Sequence, residues 1–245
     1  MFTKDELKWI RKELSDYDPF EIAPSYYHRE KTLNNREKNK YAVRIELERL
    51  REKIREYSPD ELINLKSKKA QNEKGINTFA GIYIIYNKTG NRYYIGKGED
   101  IIKRASRHFT KSGNPELYED YDLHKNEFLI NLIPLDKTSF STLNELEGSA
   151  IVAYDSMYPN GYNRVIGNIL DRPIYDRDAL YEVSDLILSR IEKSEEFKTL
   201  TNDKKRMQFI RAIFKKYNLP ENAGFQINFL KAIKIHQKEK KKKSR

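Results

Sequence analysis

Hydrophobic positions recur along this chain with two different periods. From Phe79 to Tyr86 apolar and β-branched residues run almost unbroken. An extended backbone would turn Gly81, Tyr83 and Ile85 to one face and Ile82, Ile84 and Tyr86 to the other. Asn87 to Asn91 is a polar hairpin loop in which Gly90 supplies a left-handed position, and Arg92 to Gly96 is the return strand. Phe128 to Ile133 predicts a third strand, stopped by Pro134. Elsewhere the period is helical. Leu7, Ile10 and Leu14 mark a helix over 3–17, opened by the capping box Thr3-Lys4-Asp5-Glu6. Val43, Leu47, Leu50, Ile54 and Tyr57 step by four and three through 36–57. Ser58, Pro59 and Glu61 start a further helix running to about Lys69. Ile101, Ile102, Ala105 and Phe109 form an apolar arc after the hairpin, and Thr142 opens a helix to about Met157. Three charged amphipathic helices follow near 178–192, 203–217 and 222–238. The last two, joined by a short link, read as a helical hairpin in preference to a helix-turn-helix. Asp16 to Pro24 reads as a loop, Ala70 to Ile76 as a linker, and Lys111 to Lys125 as a surface excursion.

Charge divides the chain further. The formal net charge is +10, yet residues 76–167 carry 10 basic and 11 acidic side chains, while 205–245 carry 13 basic and 2 acidic. A neutral centre with a basic end suggests a polyanionic partner. No apolar stretch approaches the ~20 residues of a membrane helix, no signal peptide follows Met1, and no cysteine is present. A disulfide framework and thiolate metal sites are thereby excluded, and a reducing cytoplasm is the expected compartment.

Two positions stand out chemically. Arg104 and His108 lie four residues apart beside a buried helical arc, where both cost energy unless partnered. Within the helix from Leu143, Glu147 falls at about 40° from Leu143, inside the apolar arc of Leu146, Ala150, Ile151 and Tyr154. Glu145 falls on the wet side and is explained as the cap. An ionised Glu147 in that arc needs either a metal ion or a structural cation. His28, His124 and His236 lie in polar contexts, and Lys97 reads as a surface lysine or a phosphate contact. No Walker loop, His-Glu-x-x-His or Gly-x-Ser-x-Gly pattern occurs.

Gly81-Ile82-Tyr83 and Tyr94-Ile95-Gly96, followed by Arg104, His108, Glu147 and Gly161-Tyr162-Asn163, resemble the GIY-YIG nuclease superfamily over roughly residues 77–166. The resemblance implies an α+β fold. Its core is a small, mainly antiparallel three-stranded sheet flanked by helices, carried here between helical N- and C-terminal extensions. The expected division is 1–75, 76–167 and 168–245, the last a basic region suited to DNA binding. The implied activity is hydrolysis of phosphodiester bonds in double-stranded DNA, with a single Mg²⁺ or Mn²⁺ on Glu147 and Arg104 neutralising developing charge. Tyr83 or Tyr94 would orient or deprotonate water, and His108 would bond to that network. Lys97 would touch phosphate, and Asn163 would fix local geometry or contact the phosphate. Two flanking extensions point to a restriction-type or phage-type sequence-selective enzyme. The alternatives are a nicking or structure-selective nuclease and a binding module on an inactive scaffold. One core offers one active site, so a double-strand break needs a homodimer or two successive nicks.

Overall fold

A computed structural model of the chain describes residues 2–16, 24–169 and 172–243. Residues 17–23, most of the expected loop after the first helix, lie outside the described residues. Contacts gather the chain into two units: residues 31–169, and residues 1–30 together with 170–245.

The first unit is built on a four-stranded antiparallel sheet in the order β1-β4-β2-β3, from β1 (Glu56–Tyr57), β2 (Gly81–Asn87), β3 (Arg92–Gly98) and β4 (Phe128–Pro134). Alternation along β2 sorts the core into two layers, as an extended backbone requires. Tyr83 and Ile85 pack with Ile101, Ile102 and Ala105 of α5 (Ile101–Ser106) and with Leu62 of α3 (Pro59–Asn64). Ile82 and Ile84 pack on the opposite face against Val43 and Leu47 of α2 (Pro24–Arg51) and Leu146 and Ala150 of α7 (Leu143–Ala153). Two glycines allow this sheet to close. A Cβ on Gly81 would lie 2.1 Å from the Ile133 carbonyl oxygen of the neighbouring strand. One on Gly96 would lie 2.2 Å from the Tyr83 hydroxyl. Gly96 and Tyr83 are cross-strand partners, so the missing side chain makes room for the ring.

Several elements differ from the pattern-based expectation. The fourth strand arises because Ser58 must be extended to cap α3 ahead of Pro59. The preceding helix therefore ends at Arg51 instead of 57, and Tyr57 leaves the seam to pair with Ile130. That helix also begins earlier, at Pro24, in a stretch with no apolar stripe to announce it. The expected linker holds a short helix, α4 (Lys68–Glu73), whose buried Gln71 donates to the Leu65 carbonyl at 2.7 Å. The surface excursion holds α6 (Pro115–Leu123), capped by Asn114 and burying Leu117 and Tyr121 four residues apart. The compact units divide the chain near 30 and 169, not at 75, because β1 pairs in the sheet and the α2 residues Val43 and Leu47 pack against it.

In the second unit, Ile10 and Leu14 of α1 (Lys4–Ser15) join a core with α8 (Asp178–Ile191), α9 (Glu195–Lys198), α10 (Asp203–Lys216) and α11 (Ala223–Lys243). Helices α10 and α11 pack as a hairpin. Among the described residues no helix is long and apolar enough to cross a membrane.

Candidate active site

Strand β3 is the edge of the sheet, and the candidate residues gather around that edge from both faces. Part of the edge is closed by the chain after α7. Asn163 is buried, and its carboxamide imitates a neighbouring strand: Oδ1 accepts from the Ile95 N–H at 2.9 Å and Nδ2 donates to the Ile95 carbonyl at 2.8 Å. The Tyr162 N–H donates to the Tyr93 carbonyl at 2.9 Å. Of the two roles expected for Asn163, its amide performs the geometric one, and both of its polar atoms are spent on Ile95. Tyr162 anchors this segment, its hydroxyl donating to Asp120 at 2.6 Å and accepting from Asn87 at 2.7 Å.

On one face stand Tyr83, Tyr94 and His108. Tyr83 is fully buried, and its hydroxyl lies 2.9 Å from His108 Nε2. His108 Nδ1 accepts a hydrogen bond from the backbone N–H of Asn114 at 3.0 Å. That second contact fixes the tautomer. A neutral ring accepting at Nδ1 carries its proton on Nε2, so His108 donates to the Tyr83 oxygen. Burial, helped by the positive charges of Arg104 and Arg107, pushes the His108 pKa down to about 4 and keeps the ring neutral. The Tyr83 and Tyr94 rings stack with centroids 6.0 Å apart, and the Tyr94 ring lies 4.5 Å from that of His108. Burial dominates for both tyrosines and lifts both above the ordinary phenol, Tyr83 well above it. Arg104 pulls both downward but does not prevail, so the lowered Tyr83 pKa that a Tyr83 base would need is not found.

Arg104 is exposed, and its side chain makes no hydrogen bond or ion pair among the described residues. It lines, with Tyr94, Arg107, His108 and Asn114, an open cavity of 260 Å³. Its guanidinium is therefore available to an incoming anion.

On the other face, Lys97 of β3 reaches Glu147 of α7. Lys97 Nζ donates to Glu147 Oε2 at 2.7 Å and also to the Asn144 side-chain oxygen. Glu147 is only 15% exposed, and its charge acts on both Tyr83 and Tyr94, which places it within electrostatic reach of the other half of the site. Lys97 is the cation that the buried position of Glu147 demanded.

Two contributors escaped the sequence pattern. Asn114 sets the His108 tautomer through its backbone, and its place as an N-cap before Pro115 was the available signal. Arg36 of α2, also buried, donates to the carbonyls of Asn144, Ile166 and Asn168, and so ties the start of α7 to the segment after Asn163. A Cβ on Gly148, next to Glu147, would lie 2.2 Å from the Arg36 guanidinium carbon. Nothing in the sequence pattern marked Arg36, whose partners lie more than a hundred residues away.

Among the described residues no group of three or more His, Cys, Asp or Glu side chains could cage a metal ion. A lone carboxylate suits a hard divalent ion that keeps waters and takes substrate oxygens as its other ligands. Residues 79–160 match the family model of the GIY-YIG catalytic domain, a span that holds Tyr83, Tyr94, Lys97, Arg104, His108 and Glu147. No curated protein and no solved structure matches the chain. Residues 79–160 are therefore a GIY-YIG catalytic domain, and that domain makes the chain a nuclease, a phosphodiesterase.

Proposed function

We propose that this nuclease is a metal-dependent DNA endonuclease cleaving at the β3 edge, and that it selects its sites by sequence. The observation that carries the reading is the packed cluster of His108, Tyr83 and Tyr94, which shares a cavity with the Arg104 side chain and faces Glu147 around one strand edge. Glu147 would hold Mg²⁺ or Mn²⁺, which when bound supplies Lewis-acid stabilisation to the scissile phosphate and the departing oxygen. The protein's own groups do the rest. Tyr94 orients the attacking water and is the better proton acceptor of the two tyrosines, because burial lifts Tyr83 further above the ordinary phenol. Tyr83 is held in place by His108, whose neutral ring can only donate at Nε2. Arg104 neutralises charge on the equatorial phosphate oxygens, an effect of the kind worth about 10²–10³ in rate. Lys97 pairs with Glu147 and sets a second cation beside the phosphate path.

The residue balance of the core offers a DNA backbone little net attraction, so affinity falls to the basic second unit. Plasmid cleavage with Mg²⁺ and with EDTA tests the proposal, with Arg104→Ala and Glu147→Gln compared against wild type. We expect discrete fragments that require the metal and vanish in both variants, while the circular dichroism of the variants stays native. Cleavage surviving Glu147→Gln would refute the metal role. Open circles alone would identify a nickase, and preference for branched over linear DNA would replace sequence selection with structure selection.

A further inference from the structure

The charge surplus of the second unit is concentrated on two helices, α10 and α11, and they use it differently. On α11, Lys234 bonds to Asp203 at 3.1 Å. Lys240 and His236 both bond to Glu192, at 2.6 and 2.7 Å. These cations are committed within the protein. On α10 the opposite holds. Lys204, Lys205, Gln208, Arg211, Lys215 and Lys216 are all exposed, and none of their side chains makes a hydrogen bond or ion pair among the described residues. The one acid on the helix, Asp203, is already bonded to Arg206 and Lys234.

Their spacing makes a single face. At about 100° per residue, Lys204, Gln208, Arg211 and Lys215 fall within a stripe about 60° wide, with Lys205 and Lys216 along one flank. Ile210, Ile213 and Phe214 point the other way, into the core. The stripe from Lys204 to Lys215 is about 16 Å long. The order of residue types along it is informative. Lysines stand at both ends, where a helix laid in a groove approaches phosphates. Gln208 and Arg211 stand between them, the two side-chain types that pair bidentately with adenine and guanine edges. Ala212 is the only apolar residue exposed beside them. A face without large apolar groups suits neither a buried protein contact nor insertion into a lipid surface.

We propose that α10 is the DNA-docking helix of this protein, lying in the major groove with Gln208 and Arg211 at the base edges and the flanking lysines on the phosphates. The inference rests on the endonuclease reading for its substrate and names the element that chooses the site. Helix α11 then serves as its buttress.

The test uses the full chain carrying Glu147→Gln, so that binding is measured without cutting, and a DNA duplex of about 30 base pairs, with anisotropy followed as salt is raised. Lys204→Gln with Lys215→Gln removes the same charge as Lys234→Gln with Lys240→Gln. The α10 pair should flatten the slope of log affinity against log salt by about 2, and the α11 pair by well under 1. Equal flattening would overturn the assignment of the docking face. Selection from a random duplex pool should enrich a sequence with wild-type α10 and lose that enrichment at neighbouring positions in Gln208→Ala with Arg211→Ala. Unchanged enrichment, or none with wild type, would overturn base reading by this helix. Duplex RNA hides its major groove from side chains, so equal binding of duplex RNA would overturn groove docking. Metal-dependent cutting together with an unmoved slope would sink the α10 inference alone. An α10-dependent slope without cutting under any metal would sink the endonuclease reading alone.

Discussion

Acidification should loosen the catalytic domain through one side chain. His108 is 4% exposed, and its pKa is depressed from 6.5 to about 4. An unfolded chain takes up the proton near 6.5, whereas the folded one resists until about 4. The unfolded state therefore binds more protons across that window, and stability is complete above pH 6.5 and lost as pH falls through 4. Each unit of pKa difference is worth about 1.36 kcal/mol. Lowering the pH from 7 to 4 then removes about 3 kcal/mol, or about two orders of magnitude in the opening equilibrium. His108→Gln retains a side-chain amide donor for Tyr83 but has no proton to gain. Hydrogen exchange of the β2 amides, followed by mass spectrometry and corrected for intrinsic rates, reports on this sheet directly. Wild type should lose about a hundredfold more protection than His108→Gln over that pH range. Parallel losses in the two proteins would refute the buried neutral histidine and the tautomer argument built on it.

Two glycine positions yield further expectations. Gly96→Ala places a methyl 2.2 Å from the Tyr83 hydroxyl and must displace it from His108, so cleavage should fall by about 10² or more while DNA affinity is kept, as binding and single-turnover assays would show. Gly148→Ala drives a methyl into the Arg36 guanidinium and should cost about 2–4 kcal/mol in urea unfolding of the sheet unit, as an overpacked and disrupted buried cation would; combining it with Arg36→Ala should restore part of the loss.

Much of the site could be read in advance because it is written in local periods. Alternation along β2 places Tyr83 on the helix α5 face, and the angular position of Glu147 shows that a carboxylate must find a cation. What could not be read is what lies across the fold. The cation for Glu147 proved to be Lys97, fifty residues earlier, which on position alone resembles any surface lysine. Asn163 closes a strand edge because of where the chain returns, and no spacing shows that. The fourth strand is only two residues long, too short for any period, and it exists because a cap at Ser58 forces its predecessor out of a helix.

The partition of the chain bears on its synthesis. The sheet-bearing unit is one continuous stretch, 31–169, whereas its companion is assembled from 1–30 and 170–245. On a ribosome the nuclease fold has all its parts before the companion does. Phe2, Ile10 and Leu14 must wait, without their partners on α8 and beyond, until more than a hundred further residues have emerged. An early-folding insert fixes the separation of its own ends, residues 31 and 169, and so replaces a long floppy loop by a short constraint, which reduces the entropy cost of joining the two late segments. The catalytic domain thus serves as a scaffold for completing the unit we assign to DNA, and a truncated nascent chain would have its cutting centre before its docking helix.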